Sequence, residues 1–267
     1  MATYVQIDDP ADPRLDDFRD LTLADRRPDR PGGRGIVVAE GVPVVQRLLA
    51  SAYPIRRVMG IPAKVAALAP DLDGVGIPVY AVPAAVMDAV VGFHLNRGVL
   101  ATADRASRPS IDELARSTRL LAVLEGVNDH ENLGALFRNA ASLGVDGVVL
   151  GPRSADPLYR RSVRVSMGHV LRVPFAPAEG WPETLEFLQH KGFVVAALTA
   201  KMPATPIHEL RADKVAVLLG AEGPGLTDRA LAAADVRVRI PMRSGVDSLN
   251  VATAAAIAFH RLGIALG

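Results

Sequence analysis

Short apolar runs and stretches of helical spacing alternate along most of the chain. Ile36-Val37-Val38-Ala39 reads as a strand. Val42 to Ala50 carries apolar residues at helical spacing behind Gly41 and Pro43, residues suited to a helix start. Ile55 to Met59 predicts a second strand, residues 62–69 a helix, Pro78 to Val82 a third strand, residues 83–91 a helix, and Gly98 to Ala101 an extended piece. Further on, Leu120 to Leu124, Val145 to Leu150, Phe193 to Leu198, Val215 to Leu219 and Val236 to Ile240 read as strands. Leu133 to Leu143, Trp181 to His190, Asp228 to Ala234 and Leu249 to Leu262 read as helices. Such alternation predicts an α/β fold whose mostly parallel sheet is covered on both faces. The last helix is apolar almost all round, so it must be buried, in the core or against a partner chain.

Between the two alternating regions lies ADRASRPSIDELARST (residues 103–118), polar, charged and interrupted by a proline. It reads as a linker with room for a helical turn or more. The expected organisation is an N-terminal α/β domain over 1–105, a linker over 106–118 and a second domain over 119–267.

Composition narrows the function. Of 267 residues nearly half are apolar, enough for a sizeable core, and 30 Lys and Arg oppose 29 Asp and Glu. A net charge of +1 excludes a strongly cationic nucleic-acid coater but allows a local basic patch. Two segments supply candidates: the loop from Arg26 to Arg34, and LYRRSVRVSMGHVLRVPF with Arg160, Arg161, Arg164 and Arg172. The first could equally be a solvated loop. The chain has no cysteine, so disulfides, thiolate metal sites and cysteine nucleophiles are excluded. The six histidines are scattered, with no pair at i, i+4, and no bound metal is expected. The acidic N-terminus does not resemble a signal peptide, and no apolar run is long enough to span a bilayer, so a soluble cytoplasmic protein is expected.

Three clusters fall where strands give way to loops, the usual place for α/β active sites. The first is Asp129-His130-Glu131-Asn132-Leu133-Gly134 with Arg138; Asn132 stands where a helix N-cap is expected. These residues would also serve as an ordinary cap and a surface arginine. The second, Leu219-Gly220-Ala221-Glu222-Gly223-Pro224-Gly225-Leu226, places three glycines in six residues after an apolar strand. It is neither a dinucleotide fingerprint nor a Walker loop, and on its own reads as a tight strand-to-helix turn. The third is Ile240-Pro241-Met242 followed by Ser248-Leu249-Asn250-Val251-Ala252. Ser248 suits a helix cap. Asn250 then lies in the first turn of an apolar helix, where its amide needs a partner.

In this order and spacing the clusters resemble the three motifs of the SpoU (TrmH-like) family of RNA ribose methyltransferases: N-L-G-x-x-x-R, then L-G-A-E-G-x-G-L, then I-P-M with S-L-N-V-A. Ser166-Met167-Gly168, ahead of an apolar strand and a proline, also fits. The resemblance covers residues 118–264. The preceding region is similar to the small ribosomal-protein-like RNA-binding domain that many members carry, through Glu40-Gly41 and Asn96-Arg97-Gly98-Val99-Leu100-Ala101. Asn96 and Arg97 stand where many members have histidine and glutamine.

The resemblance implies a SPOUT-type mostly parallel sheet with a trefoil knot, a homodimer, and an S-adenosylmethionine pocket at Thr199, Gly220, Ile240, Met242 and Leu249. It implies methyl transfer to a ribose 2′-hydroxyl in ribosomal RNA, with transfer RNA second. Arg138 would be the catalytic arginine, surrounded by Asn132, Glu222, Ser248 and Asn250, and Arg160, Arg161, Arg164 and Arg172 would touch RNA. Two alternatives remain: a nicotinamide-dependent dehydrogenase, which lacks its early glycine fingerprint, and a non-catalytic RNA-binding or ribosome-assembly protein on the same fold.

Overall fold

The computed structural model describes residues 3–21, 35–243 and 248–266. Its contacts divide the chain into two compact units, one of residues 1–107 with 156–172, the other of residues 108–155 with 173–267. Residues 156–172, which lie inside the C-terminal region in sequence, therefore pack with the N-terminal unit.

The first unit contains β1 (Thr3–Gln6), β2 (Val37–Glu40), α1 (Val42–Leu49), β3 (Ile55–Gly60), α2 (Pro62–Leu72), β4 (Pro78–Ala81), α3 (Ala84–Val91) and β5 (Val99–Ala103). Its sheet runs β1-β4-β3-β5-β2. This sheet is mixed: β1 and β3 pair parallel with β4, and β5 pairs antiparallel with both β2 and β3. Its five residues are all buried between two neighbours, so the "extended piece" is a central strand. β1, absent from the sequence reading, joins the edge by pairing with β4. Thr3-Tyr4-Val5-Gln6 is short and neither of its alternating faces is fully apolar, so no pattern marks it. Leu15, Phe18, Met59, Val90 and Leu100 pack into the core on one face.

The second unit contains α4 (Ile111–Ser117), β6 (Leu120–Glu125), α5 (His130–Ser142), β7 (Gly147–Leu150), β8 (Phe175–Pro177), α7 (Glu183–His190), β9 (Val194–Leu198), β10 (Thr205–Pro206), β11 (Val215–Gly220), α8 (Asp228–Ala233), β12 (Val236–Arg239) and α9 (Val251–Leu266); α6 (Arg160–Val165) belongs to the first unit. Seven strands in the order β10-β12-β9-β11-β6-β7-β8 pair in parallel throughout. β6 and β11 lie at the centre, and their twelve residues are buried except for Gly220, as full coverage of both faces requires.

The stretch read as a linker is partly helical. Ser110 and Glu113 close a capping box, and Ile111, Leu114 and Ala115 enter the core of the second unit. Three apolar residues at i, i+3 and i+4 are enough to fold a seven-residue helix once a sheet covers them. The last helix buries Ala255, Ala258, Phe259 and Leu262 but leaves Ile257 at 40% and Ile264 at 68% exposure. No helix among the described residues is long and apolar enough to cross a membrane.

Candidate functional site

A pocket of about 430 Å³ opens at the carboxyl ends of β9, β11 and β12 in the second unit, within the usual range for small-molecule sites. This is where parallel sheets place ligands. Its apolar lining comes from Leu198, Leu219, Ile240 and Leu249, and its polar rim from Thr199, Lys201, Glu222, Ser248 and Asn250. Thr199, Gly220, Ile240, Met242 and Leu249, drawn from three separate loops, all line it.

The glycine loop is shaped by its neighbours. Ala221 and Gly225 form an antiparallel bridge, and the Gly225 amide donates to the Ala221 carbonyl at 3.0 Å. The chain thereby doubles back onto Gly220. A Cβ at Gly220 would stand 2.4 Å from the Leu226 nitrogen and 2.5 Å from the Gly225 carbon. Only hydrogen fits there, because both obstacles are backbone and cannot rotate away.

A buried carboxylate holds the far end of this loop. Glu125, the last residue of β6, accepts from the Thr227 amide at 2.9 Å, the Thr227 hydroxyl at 2.7 Å and Trp181 Nε1 at 2.8 Å. Thr227 in turn caps α8 by accepting from the Ala230 amide. Three donors satisfy a charge that would otherwise be costly to bury. Sequence reading passed over Glu125; a carboxylate ending an otherwise wholly apolar strand was the available signal.

Asn250 joins the three motifs. Its Nδ2 donates to Asn132 Oδ1 at 2.8 Å and to Glu222 Oε1 at 2.6 Å. Its Oδ1 accepts from the amides of Ala252 and Thr253. Asn250, and not Ser248, is therefore the cap of α9. It precedes the helix, where its oxygen reaches amides that have no intrahelical partner. A parallel correction applies to α5: Asp129 caps it by accepting from Glu131 and Asn132, so Asn132 lies in the first turn with its side chain free to face Asn250. Ser248 lines the pocket as an exposed residue.

Arg138 is exposed on α5 and is not among the pocket-lining residues. It lies six positions beyond Asn132, roughly 9 Å along the helix axis at the standard rise. α5 and α9 are fastened by Asn139 Nδ2 donating to the Ala252 carbonyl at 2.9 Å, and by the bare Gly263, where a Cβ would meet the Leu143 carbonyl oxygen at 2.4 Å.

The four arginines of the basic segment belong to the first unit and are not equivalent. Arg161 and Arg172 are exposed, and Arg164 is half-buried. Arg160 donates to Glu40 at 3.0 Å and lies 4.9 Å from the Phe93 ring centroid. Burial pushes its guanidinium below its ordinary pKa, with the adjacent Arg164 acting in the same sense and Glu40 against it. The Arg26–Arg34 loop lies outside the described residues.

The family model for the SpoU rRNA methylase family matches residues 119–260, which span all three motifs. An uncharacterized tRNA/rRNA methyltransferase of Mycobacterium tuberculosis is 57% identical over 94% of this chain and 89% of its own length. An RNA 2′-O ribose methyltransferase of known crystal structure is 25% identical, with a TM-score of 0.74 over 98% of this chain and 99% of its own. An AdoMet-bound rRNA methyltransferase from Sinorhizobium meliloti has the same fold, with a TM-score of 0.79, 24% identity and 97% coverage of both chains. With its glycine loop, its Asn250 junction and its matched region all in one unit, the chain belongs to the SpoU rRNA methylase family.

Proposed function

We propose that the chain transfers a methyl group from S-adenosylmethionine to a ribose 2′-hydroxyl of structured RNA, ribosomal RNA first and transfer RNA second. The observation that carries this reading is the Asn250 junction on the pocket wall, which brings Asn132 and Glu222 to one point. The relatives' names support the RNA substrate, and the AdoMet-bound structure of the same fold supports the methyl donor.

The pocket fits the donor. Gly220 lets the Gly225–Leu226 backbone fold against the pocket wall, and Leu198, Leu219, Ile240 and Leu249 provide apolar walls for an adenine ring. Thr199, Gly220, Ile240, Met242 and Leu249 would hold it. When bound, S-adenosylmethionine supplies an electrophilic methyl group, and the chemistry is the cofactor's own. The chain supplies alignment. Glu222, Ser248 and Asn250 form part of the polar side of the pocket, and Asn132 stands behind Asn250, accepting from its amide. Glu222 is fixed by Asn250 and offers its remaining oxygen to a cation or hydroxyl.

Arg138 is exposed and off the pocket wall, which supports a role on RNA instead of on the donor. A guanidinium hardly deprotonates, so it is unsuited to act as a base. It holds the adjacent phosphate, which takes the 2′-proton, and it stabilises the developing alkoxide. RNA docks through Arg160, Arg161, Arg164 and Arg172 by phosphate contacts that position without reading sequence.

A homodimer and a knotted C-terminus belong to the same proposal. Ile257 and Ile264 on α9 offer apolar surface for an isologous partner. β12 lies between the edge strand β10 and β9, and α9 packs on α5, β6 and β11. The protein is expected to work in the cytoplasm and without a metal. Incubation with labelled S-adenosylmethionine and total bacterial RNA, followed by mapping of the product, tests the reading. A 2′-O-methylated nucleotide is expected; label on a base overturns the ribose assignment. RNA binding without any transfer favours a non-catalytic assembly protein.

A further inference from the structure

Glu40, at the end of β2, is a nearly buried carboxylate whose side chain is 6% exposed and which faces three arginines. Among the described residues Arg160 alone makes a side-chain hydrogen bond to it, at 3.0 Å. Arg97 Nε stands 3.7 Å away and an Arg164 terminal nitrogen 3.9 Å away, beyond hydrogen-bond reach. Among the described residues one negative charge thus faces three positive ones, a surplus of two. Arg160, the least exposed at 22%, stacks on Phe93 and serves as the strut. Arg97 at 40% and Arg164 at 35% are more exposed than Arg160, so solvent reaches them. Gly41 permits this arrangement: its φ is +92°, and a Cβ there would meet Arg97 Cδ at 3.1 Å, so Arg97 lies across bare backbone.

We propose that Glu40 organises Arg97 and Arg164 into a site for one phosphate of an RNA backbone. The proposal rests on the RNA reading above and goes beyond it by adding Arg97 and Glu40 and by making Arg160 a support instead of a contact. A phosphodiester carries one charge and two free oxygens, matching two guanidinium forks held apart by a carboxylate beneath them. The surplus charge gives the cluster an affinity for anions, and Glu40 keeps the two arginines oriented before the anion arrives, which lowers the ordering cost of binding. The exposed Arg161 and Arg172 on the same segment favour an extended polyanion over a single small anion.

The test measures binding of bulk bacterial ribosomal RNA and bulk transfer RNA over a salt series, with the full-length wild type, Arg97→Ala, Arg164→Ala and Arg116→Ala. Arg116, an exposed arginine on α4, is the control for loss of any one charge. Each of the first two variants should lower the slope of log K against log salt by about 0.7–0.9, one phosphate contact, while Arg116→Ala leaves it unchanged. Calorimetry with S-adenosylmethionine should give wild-type affinity in all four proteins. An unchanged slope in either Arg97→Ala or Arg164→Ala overturns the shared site. Millimolar inorganic phosphate bound by the wild type and lost in Arg97→Ala, with RNA slopes unaltered, would assign the site to free phosphate and overturn the backbone proposal. A wild type that binds the methyl donor but no RNA defeats the functional reading, and this inference with it. Altered slopes with no 2′-O-methyl product defeat only the ribose assignment and support the phosphate site.

Discussion

Asn250 donates to Asn132 at 2.8 Å across 118 positions of chain, and the same nitrogen reaches Glu222 at 2.6 Å. One amide therefore ties the start of α9 to the first turn of α5 and to the glycine loop. Its oxygen meanwhile caps α9. An asparagine suits this post because it presents a donor group and an acceptor group on one rigid plane.

Asn250→Asp and Asn250→Ala should separate these two roles. Aspartate keeps the cap but sets a carboxylate against Glu222, whereas alanine loses the cap, a change that costs about 1 kcal/mol. The aspartate variant should bind S-adenosylmethionine no better than the alanine variant, although the new charge falls at a favourable helix N-terminus. Calorimetry and thermal melts on both proteins check this. Wild-type donor affinity in Asn250→Asp would show that the junction does not shape the pocket.

Arg138→Ala should fold and bind S-adenosylmethionine normally, since Arg138 does not line the pocket. Methyl transfer should fall by about 10²–10³-fold, the usual effect of removing a group that stabilises a developing oxyanion. Arg138→Lys should recover little, because a point charge cannot reproduce the planar fork. Single-turnover rates on the mapped RNA decide the matter, and near-wild-type turnover in the alanine variant would leave the arginine a surface residue.

Gly220→Ala should abolish donor binding. The added carbon cannot stand 2.4 Å from the Leu226 nitrogen, so the loop must open. Gly223→Ala is the companion variant: space is free there, and only the φ of +83° opposes it, at about 1 kcal/mol. The expected order of donor affinity is wild type, Gly223→Ala, Gly220→Ala. Equal affinity in the last two would mean that the close approach is not needed for binding.

Glu125→Ala should destabilise the protein by about 3 kcal/mol or more, because Trp181 Nε1 and both Thr227 donors lose their acceptor. Trp181 is the single tryptophan, so its fluorescence reports the change directly. Glu125→Gln keeps one acceptor oxygen and should recover part of the stability. Chemical denaturation followed by tryptophan emission measures both. An alanine variant within 1 kcal/mol of wild type would show that water or a neighbour replaces the carboxylate.

Much of the site was legible because its loops are locally coded. Thr199, Gly220, Ile240, Met242 and Leu249 are implied by the resemblance of the motifs in those loops, and all five line the pocket. Helix starts were harder. Asn132 and Ser248 have the chemistry of caps, but Asp129 and Asn250 take the posts, since several polar residues in one loop compete and packing chooses among them. The polar stretch before β6 left room for a helical turn, but the extent of α4 rests on three buried residues that need the sheet they cover.

By itself the sequence determined most of the strands and helices and the three loops that carry family-specific residues, because periodicity and glycine placement act within a few residues; β1, β8, β10 and α6 gave no such pattern. The tertiary structure decided which side chains meet. Glu125 finds Thr227 across 102 positions, Arg160 finds Glu40 across 120, and Asn250 finds Asn132 across 118. A sheet order that places β11 beside β6 and β5 between β2 and β3 creates these meetings, and no local pattern encodes it. A buried polar group must be satisfied by whatever the fold brings near, so its partner is a property of packing and not of the neighbouring sequence.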